Sequence, residues 1–183
     1  MTRQAIWQYL GLDAGHWPMD AETEVQLTQA LGRTPQGAQA VRIKDGKGQP
    51  VVVQVQPLVD DKPFPTFYWL CCRRLIRAIS HLEAAGLIKT LEARLQADPE
   101  LMAQHHASHQ DYVTQRDAAM TETQRQRIAE LGFTQVFQRR GVGGIDNWDQ
   151  VRCLHTHYAH HLCGNNLVGQ LLDTEYGLFE QLD

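Results

Sequence analysis

AQAVRIKDGKGQPVVVQVQPLVDDKPFPTF, residues 38–67, is the stretch whose reading decides the fold. Within it AQAVRI (38–43) and VVVQVQPL (51–58) are rich in β-branched residues. Lys44-Asp45-Gly46-Lys47-Gly48 between them is turn chemistry, so the two runs predict one β-hairpin. Pro63 and Pro65 fix their own φ angles and push the residues before them out of the helical region, which keeps Asp60 to Thr66 extended.

Beyond that stretch the texture becomes helical. From Phe67 to Ala85 the residues Leu70, Leu75, Ile76, Ile79 and Leu82 recur at helical spacing until Gly86 interrupts them, and the pattern resumes from Leu87 to Leu95. Asp98-Pro99-Glu100 supplies a cap and an N-terminal proline for a further helix that runs past Tyr112 and Arg116 towards Leu131. Gly132 and Gly141-Val142-Gly143-Gly144 break the pattern. Asp146 or Asn147 then caps WDQVRCLHTHYAHHLC (148–163), which Gly164 ends.

On the N-terminal side a short helix is expected around Arg3 to Leu10 and a loop from Gly11 to Pro18. Asp20 caps a second helix, AETEVQLTQAL, that stops at Gly32. The expected architecture is mostly α, of the α+β class: a helical domain with a small N-terminal β-hairpin. Residues 1–183 read as one domain, with N-terminal helices in 1–35, the hairpin in 36–60 and the helical core in 61–183.

With 183 residues, 43% of them hydrophobic, the chain is long enough for one substantial core. A formal net charge of -4 gives no global attraction to nucleic acid or to anionic membranes. No apolar run approaches the roughly 20 residues of a membrane helix, and MTRQAIWQYLGLDAG lacks the charged-then-apolar order of a signal peptide. These features point to the cytoplasm, where the four cysteines would be free thiols or metal thiolates rather than disulfides.

The densest chemistry lies at Cys153, His155, His157, His160, His161 and Cys163, since thiolate and imidazole are the side chains that best bind zinc and related ions. On a continuous helix Cys153, His157 and His160 share a face and His155 points nearly opposite. One helix then supplies three ligands, with Cys72 the leading fourth. Against this stands the plain alternative of small core cysteines and packing histidines.

A second constellation is His109, Tyr112 and Arg116, spaced three and four residues apart, which puts an acid/base group, a phenol and a cation along one helix face and suits an anionic ligand. Its competitor is a solvated polar stripe, to which His105 and His106 would belong. The glycine cluster at 141–144, with Arg139 and Arg140, could offer backbone N–H groups to phosphate but matches no phosphate-loop fingerprint. Arg73, Arg74 and Arg77 could form a basic patch and are more often simply solvated.

LGRTPQG (31–37), PFPTFYWLCC (63–72), HLEAAGLI (81–88), ADPEL (97–101), SHQDYVTQRD (108–117), GVGGI (141–145) and VRCLHTHYAHHL (151–162) together resemble an uncharacterised bacterial family called domain of unknown function five hundred and one. The resemblance spans roughly Leu31 to Gly169. It implies importance for Cys72, for the set His109, Asp111, Tyr112 and Arg116, and for Cys153, His155 and His160, so it favours His155 more than helix geometry does. Members of the family also carry a Cys-x-Cys pair in the hairpin, where this chain has Asp45-Gly46-Lys47. Either those cysteines belong to a dispensable site, or histidines such as His157 and His161 replace them here. The resemblance carries no activity with it.

Two readings follow. In the first, Cys72, Cys153, His155, His157 and His160 provide ligands for a divalent ion, zinc first and iron second, in a metal-binding protein or metal-dependent enzyme. His109 is then the acid/base group, while Tyr112 and Arg116 orient an anionic small substrate. In the second, the chain is a noncatalytic module that binds a protein or RNA partner through Arg73, Arg74, Arg139 and Arg140.

Overall fold

The computed structural model describes residue 7, residues 11–33 and residues 36–182. The helix expected at Arg3 to Leu10 lies, apart from Trp7, outside the described residues. Six strands and eight α-helices are present among the described residues. The strands are β1 (Asp13–Pro18), β2 (Ala38–Lys44), β3 (Pro50–Val55), β4 (Leu58–Val59), β5 (Lys62–Pro63) and β6 (Tyr68–Leu70). The helices are α1 (Ala21–Leu31), α2 (Arg73–Ala84), α3 (Leu87–Ala97), α4 (Pro99–Ala119), α5 (Glu122–Glu130), α6 (Thr134–Arg139), α7 (Leu154–Cys163) and α8 (Leu167–Tyr176). The α+β expectation holds, with the β part larger than one hairpin.

Strands β1, β2, β3 and β6 form an antiparallel sheet in that order, and β4 and β5 make a separate two-stranded ribbon. The hairpin from β2 to β3 is its centre, and every residue of β3 is buried, as a strand covered on both faces must be. One face carries Leu27 of α1 against Val53 and Cys71. The other faces the main core, where Ile43, Val52, Tyr68 and Leu70 pack with residues of α2, α3, α4, α7 and α8.

Two expectations fail here for the same reason. Gly11 to Pro18 was expected as a loop, but Asp13–Pro18 is the edge strand β1, held by pairing with β2 across a bulge between Ala14 and Trp17. Phe67 to Ala85 was expected as one helix, but Tyr68–Leu70 pairs with Val52 to Gln54 as β6, and the helix starts only at Arg73. In both, a long-range ladder overrides the local pattern.

The helical boundaries are set by ordinary capping. The Asp20 side chain accepts from Thr23 N, and Gly32 closes α1 in the left-handed region at φ 75°. The Asp98 carboxylate accepts from the N–H groups of Glu100 and Leu101, with Pro99 in the first turn of α4. Asp98→Ala is therefore expected to cost about 1 kcal/mol, with Asp98→Asn recovering most of it. The comparison of urea midpoints reads this, and equal losses in both variants would refute it. The expected run to Leu131 divides at Met120, where Thr121 and Gln124 form a capping box that starts α5.

Candidate metal centre

The segment that enters α7 is held extended by carboxylates from two other helices. Glu92 of α3 accepts the N–H of Val151 at 2.9 Å, and Glu83 of α2 accepts the N–H of Leu154 at 2.8 Å. Cys153 thus keeps an extended backbone (φ -139°, ψ 113°) and stands at the N-cap position of α7. The expected helix from Trp148 is corrected accordingly: it begins at Leu154, and Asp146 and Asn147 do not cap it.

This late start changes which side chains meet. With Cys153 outside the helix, its sulfur lies 3.8 Å from Nδ1 of His155, and that same nitrogen lies 3.3 Å from Oε1 of Glu83. One ligand atom from each of Glu83, Cys153 and His155 falls within 4.8 Å of the other two. The far side of the ring fixes the tautomer of its neutral form. Nε2 of His155 lies 3.2 Å from the Ile76 carbonyl, which can only accept, so in the neutral ring Nε2 carries the hydrogen and Nδ1 presents a lone pair. A histidine that donates one ring N–H to a carbonyl and turns its other nitrogen to a thiol and a carboxylate has the outer-shell arrangement of a metal ligand.

Spacing agrees with this chemistry. Zinc bonds of about 2.0 to 2.3 Å in a tetrahedron put neighbouring ligand atoms about 3.3 to 3.6 Å apart. The 3.3 Å N···O and 3.8 Å S···N separations are close to those edges. Burial pushes the Cys153 thiol up, but His155 and the hydroxyl and amide of Thr156 outweigh it and hold the thiol below its ordinary value. Burial likewise pushes His155 down, and Cys153 with the Glu83 carboxylate more than reverses it. The pair favours the thiolate that a metal requires, with the proton held on His155, and a bound metal would take that proton's place on Nδ1.

The remaining residues expected to hold metal lie elsewhere. Cys72 is at the N-cap of α2 and borders a separate surface pocket with Asp45, Gln49, Arg73 and Arg74. His160 is fully buried. Its Nε2–H donates to Asp111 at 3.0 Å and its Nδ1 accepts from Asn166 at 3.1 Å. His157 is also fully buried, with Nδ1 against Asn166 and with Nε2 left without a hydrogen-bond partner among the described residues. The structure therefore brings Cys153 and His155 together and leaves Cys72, His157 and His160 outside the group.

The stripe His109, Tyr112 and Arg116 is not solvated, and His105 joins it in the interior, while His106 is at the surface with Asp149. His109 Nδ1 accepts the Val142 N–H at 3.0 Å, so its hydrogen is on Nε2 and points at Nε2 of His105, 3.1 Å away. Gly141 is required beside it, since a Cβ there would fall 2.2 Å from His109 Nδ1. The Tyr112 oxygen accepts the Phe67 N–H at 2.5 Å. Arg116 donates to the carbonyls of Pro65, Phe137 and Arg140. These contacts tie α4 to the segments around it and leave neither side chain turned to a ligand. The glycine turn is likewise internal, with Gly141 N bonded to Ile145 O and Gly144 N to Gly141 O. Arg140 reaches Gly144 O and Asp146.

Burial, followed by mutual repulsion, depresses His109 to about 3 and also holds His105 and His157 below the ordinary imidazole value near 6.5. The unfolded chain accepts these protons and the folded chain refuses them. Stability is then complete above about pH 6.5 and falls as pH drops towards about 3, with each such histidine lowering the folding constant about ten-fold per pH unit. Urea unfolding at pH 7, 6, 5 and 4 measures this, and a stability unchanged between pH 7 and 5 would contradict it.

Glu83 is the member of the group that sequence reading missed. Its only local signal is its place in HLEAAGLI (81–88), and a search directed at cysteine and histidine passes over it. No helix among the described residues is long and apolar enough to cross a membrane. In comparison with known proteins, no curated protein and no solved structure matches this chain. A family model does match, over residues 41–174, from β2 to α8, and it takes in Glu83, Cys153 and His155. With that match covering most of the chain, the protein belongs to the family described as protein of unknown function (DUF501).

Proposed function

We propose that this protein binds one divalent ion, zinc first and iron second, through the Glu83 carboxylate, the Cys153 thiolate and Nδ1 of His155. The observation that carries the reading is the convergence of three electron-rich groups from α2 and the start of α7 on one point. The proton that His155 shares with Cys153 and Glu83 occupies that point in the metal-free chain, and a divalent ion there would meet all three groups in its place. A mixed sulfur, nitrogen and oxygen set suits zinc, and iron next. Three protein ligands leave one position for water or substrate, the arrangement of catalytic rather than structural zinc, which favours a metal-dependent enzyme. Tyr112 and Arg116 add no anion site to it, since both are engaged inside the fold.

The test is elemental mass spectrometry of protein purified without a metal-binding tag. About one ion per chain is expected after dialysis, with a lower melting temperature once a chelator removes it. Metal-free protein whose melting temperature ignores both zinc and chelator would refute the reading.

A further inference from the structure

A cleft of about 220 Å³ lies beside the candidate metal group. Thr66, the residues of β6 and Ile76 form its walls, and His155 and Thr156 close one end. That end is shared. The His155 ring that turns Nδ1 to Cys153 and Glu83 also borders the cleft, and Thr156 lies beside the Cys153 sulfur. The remaining wall residues, Tyr68, Trp69, Leu70 and Ile76, are aromatic or aliphatic, and among the described residues no Asp, Glu, Lys or Arg lines the space. The Trp69 ring packs with Leu27, Val53 and Cys71 on the α1 side of the sheet, where Arg33 lies over it, 5.4 Å from the ring centre, and Phe64 lies tilted to it at 6.0 Å.

Size and charge together define what fits. Apolar cavities of about 150 Å³ accept benzene, so this cleft takes one ring with a few further atoms, smaller than a drug-sized ligand. A charged group would lose its hydration among these walls with no opposite charge to receive it. We propose that the cleft is the substrate subsite of the metal group, and that its ligand is a small uncharged molecule: one flat ring or short branched chain whose polar head reaches the ion. This rests on the metal reading for the head group alone. The ring subsite stands on the cleft itself.

Two arms test it. In zinc-loaded protein, benzohydroxamic acid and acetohydroxamic acid share a metal-binding head and differ in the ring. Calorimetric titration is expected to show the first binding about ten-fold or more tightly, because only it buries apolar surface in the cleft. Filling the cleft by Ile76→Trp, or by Thr66→Trp should the first variant not fold, is expected to erase that preference while zinc content stays unchanged. In the second arm benzyl alcohol, which carries no metal-binding head, is added to protein with and without zinc. The Ile76 δ1-methyl resonance, assigned with Ile76→Val, is expected to shift in both. Equal affinities for the two hydroxamic acids, tighter binding of inorganic phosphate than of benzohydroxamic acid, or an Ile76 methyl resonance that ignores benzyl alcohol would overturn the proposal. If the chain takes up no zinc, the metal reading falls, and the Ile76 methyl shift alone then upholds or overturns the ring subsite.

Discussion

Cys153→Ala is expected to abolish stoichiometric zinc, lowering affinity by about a hundred- to a thousand-fold. Structural zinc in small proteins contributes roughly 10–16 kcal/mol, and shared among three or four ligands this leaves about 3–4 kcal/mol for each. The thiolate is the largest single share, because it is the softest ligand and is already favoured by His155 and Thr156. His155→Ala should behave alike, and Glu83→Gln should keep the backbone contact to Leu154 while weakening the ion more mildly. Cys72→Ala and Cys163→Ala are the controls, as neither residue belongs to the group. Competition with a zinc-responsive dye measures all five. Zinc lost from Cys72→Ala as well as from Cys153→Ala would return the ligand set to the one read from sequence, and zinc retained by Cys153→Ala would refute both sets.

That contrast shows where the sequence was legible and where it was not. The turn at Asp45 to Gly48, the caps at Asp20 and Asp98 and the stop at Gly32 are local devices, and each stands where composition placed it. The start of α7 is not local. The N–H groups of Val151 and Leu154 are taken by Glu92 and Glu83, 59 and 71 residues away in the chain, on either side of the extended Cys153. Shifting that start moved Cys153 off the helix face it was expected to share with His157 and His160, and placed it beside His155 instead. The family resemblance favoured His155, which helical spacing set on the opposite face, and His155 is the residue that lies beside Cys153. Strands β1 and β6 were lost for a related reason: the partner strand of each, rather than its own pattern, fixes it.

Arg116 separates a residue's chemistry from its use. Sequence spacing offered it as an anion binder, yet it is 2% exposed and its guanidinium meets the carbonyls of Pro65, Phe137 and Arg140. The rings of Tyr112 and Phe137 each lie 5.5 Å from its central carbon and cover the cation. Replacing it by methionine removes a buried charge, which by itself relieves the fold, but strands three carbonyls that no other described side chain reaches in its place. Each stranded carbonyl costs about 1–3 kcal/mol, so Arg116→Met is expected to destabilise by about 3–5 kcal/mol. Arg116→Lys should recover part of this, since one ammonium cannot span the three acceptors as a planar fork does. In the folded fraction of both variants zinc content should be unchanged, because the residue holds α4 to the Pro65 and Phe137–Arg140 segments and contributes nothing to the metal group. A variant of unchanged urea midpoint would show that the guanidinium is dispensable to the fold, and the anion-binding role would then be the better account of why an arginine stands there.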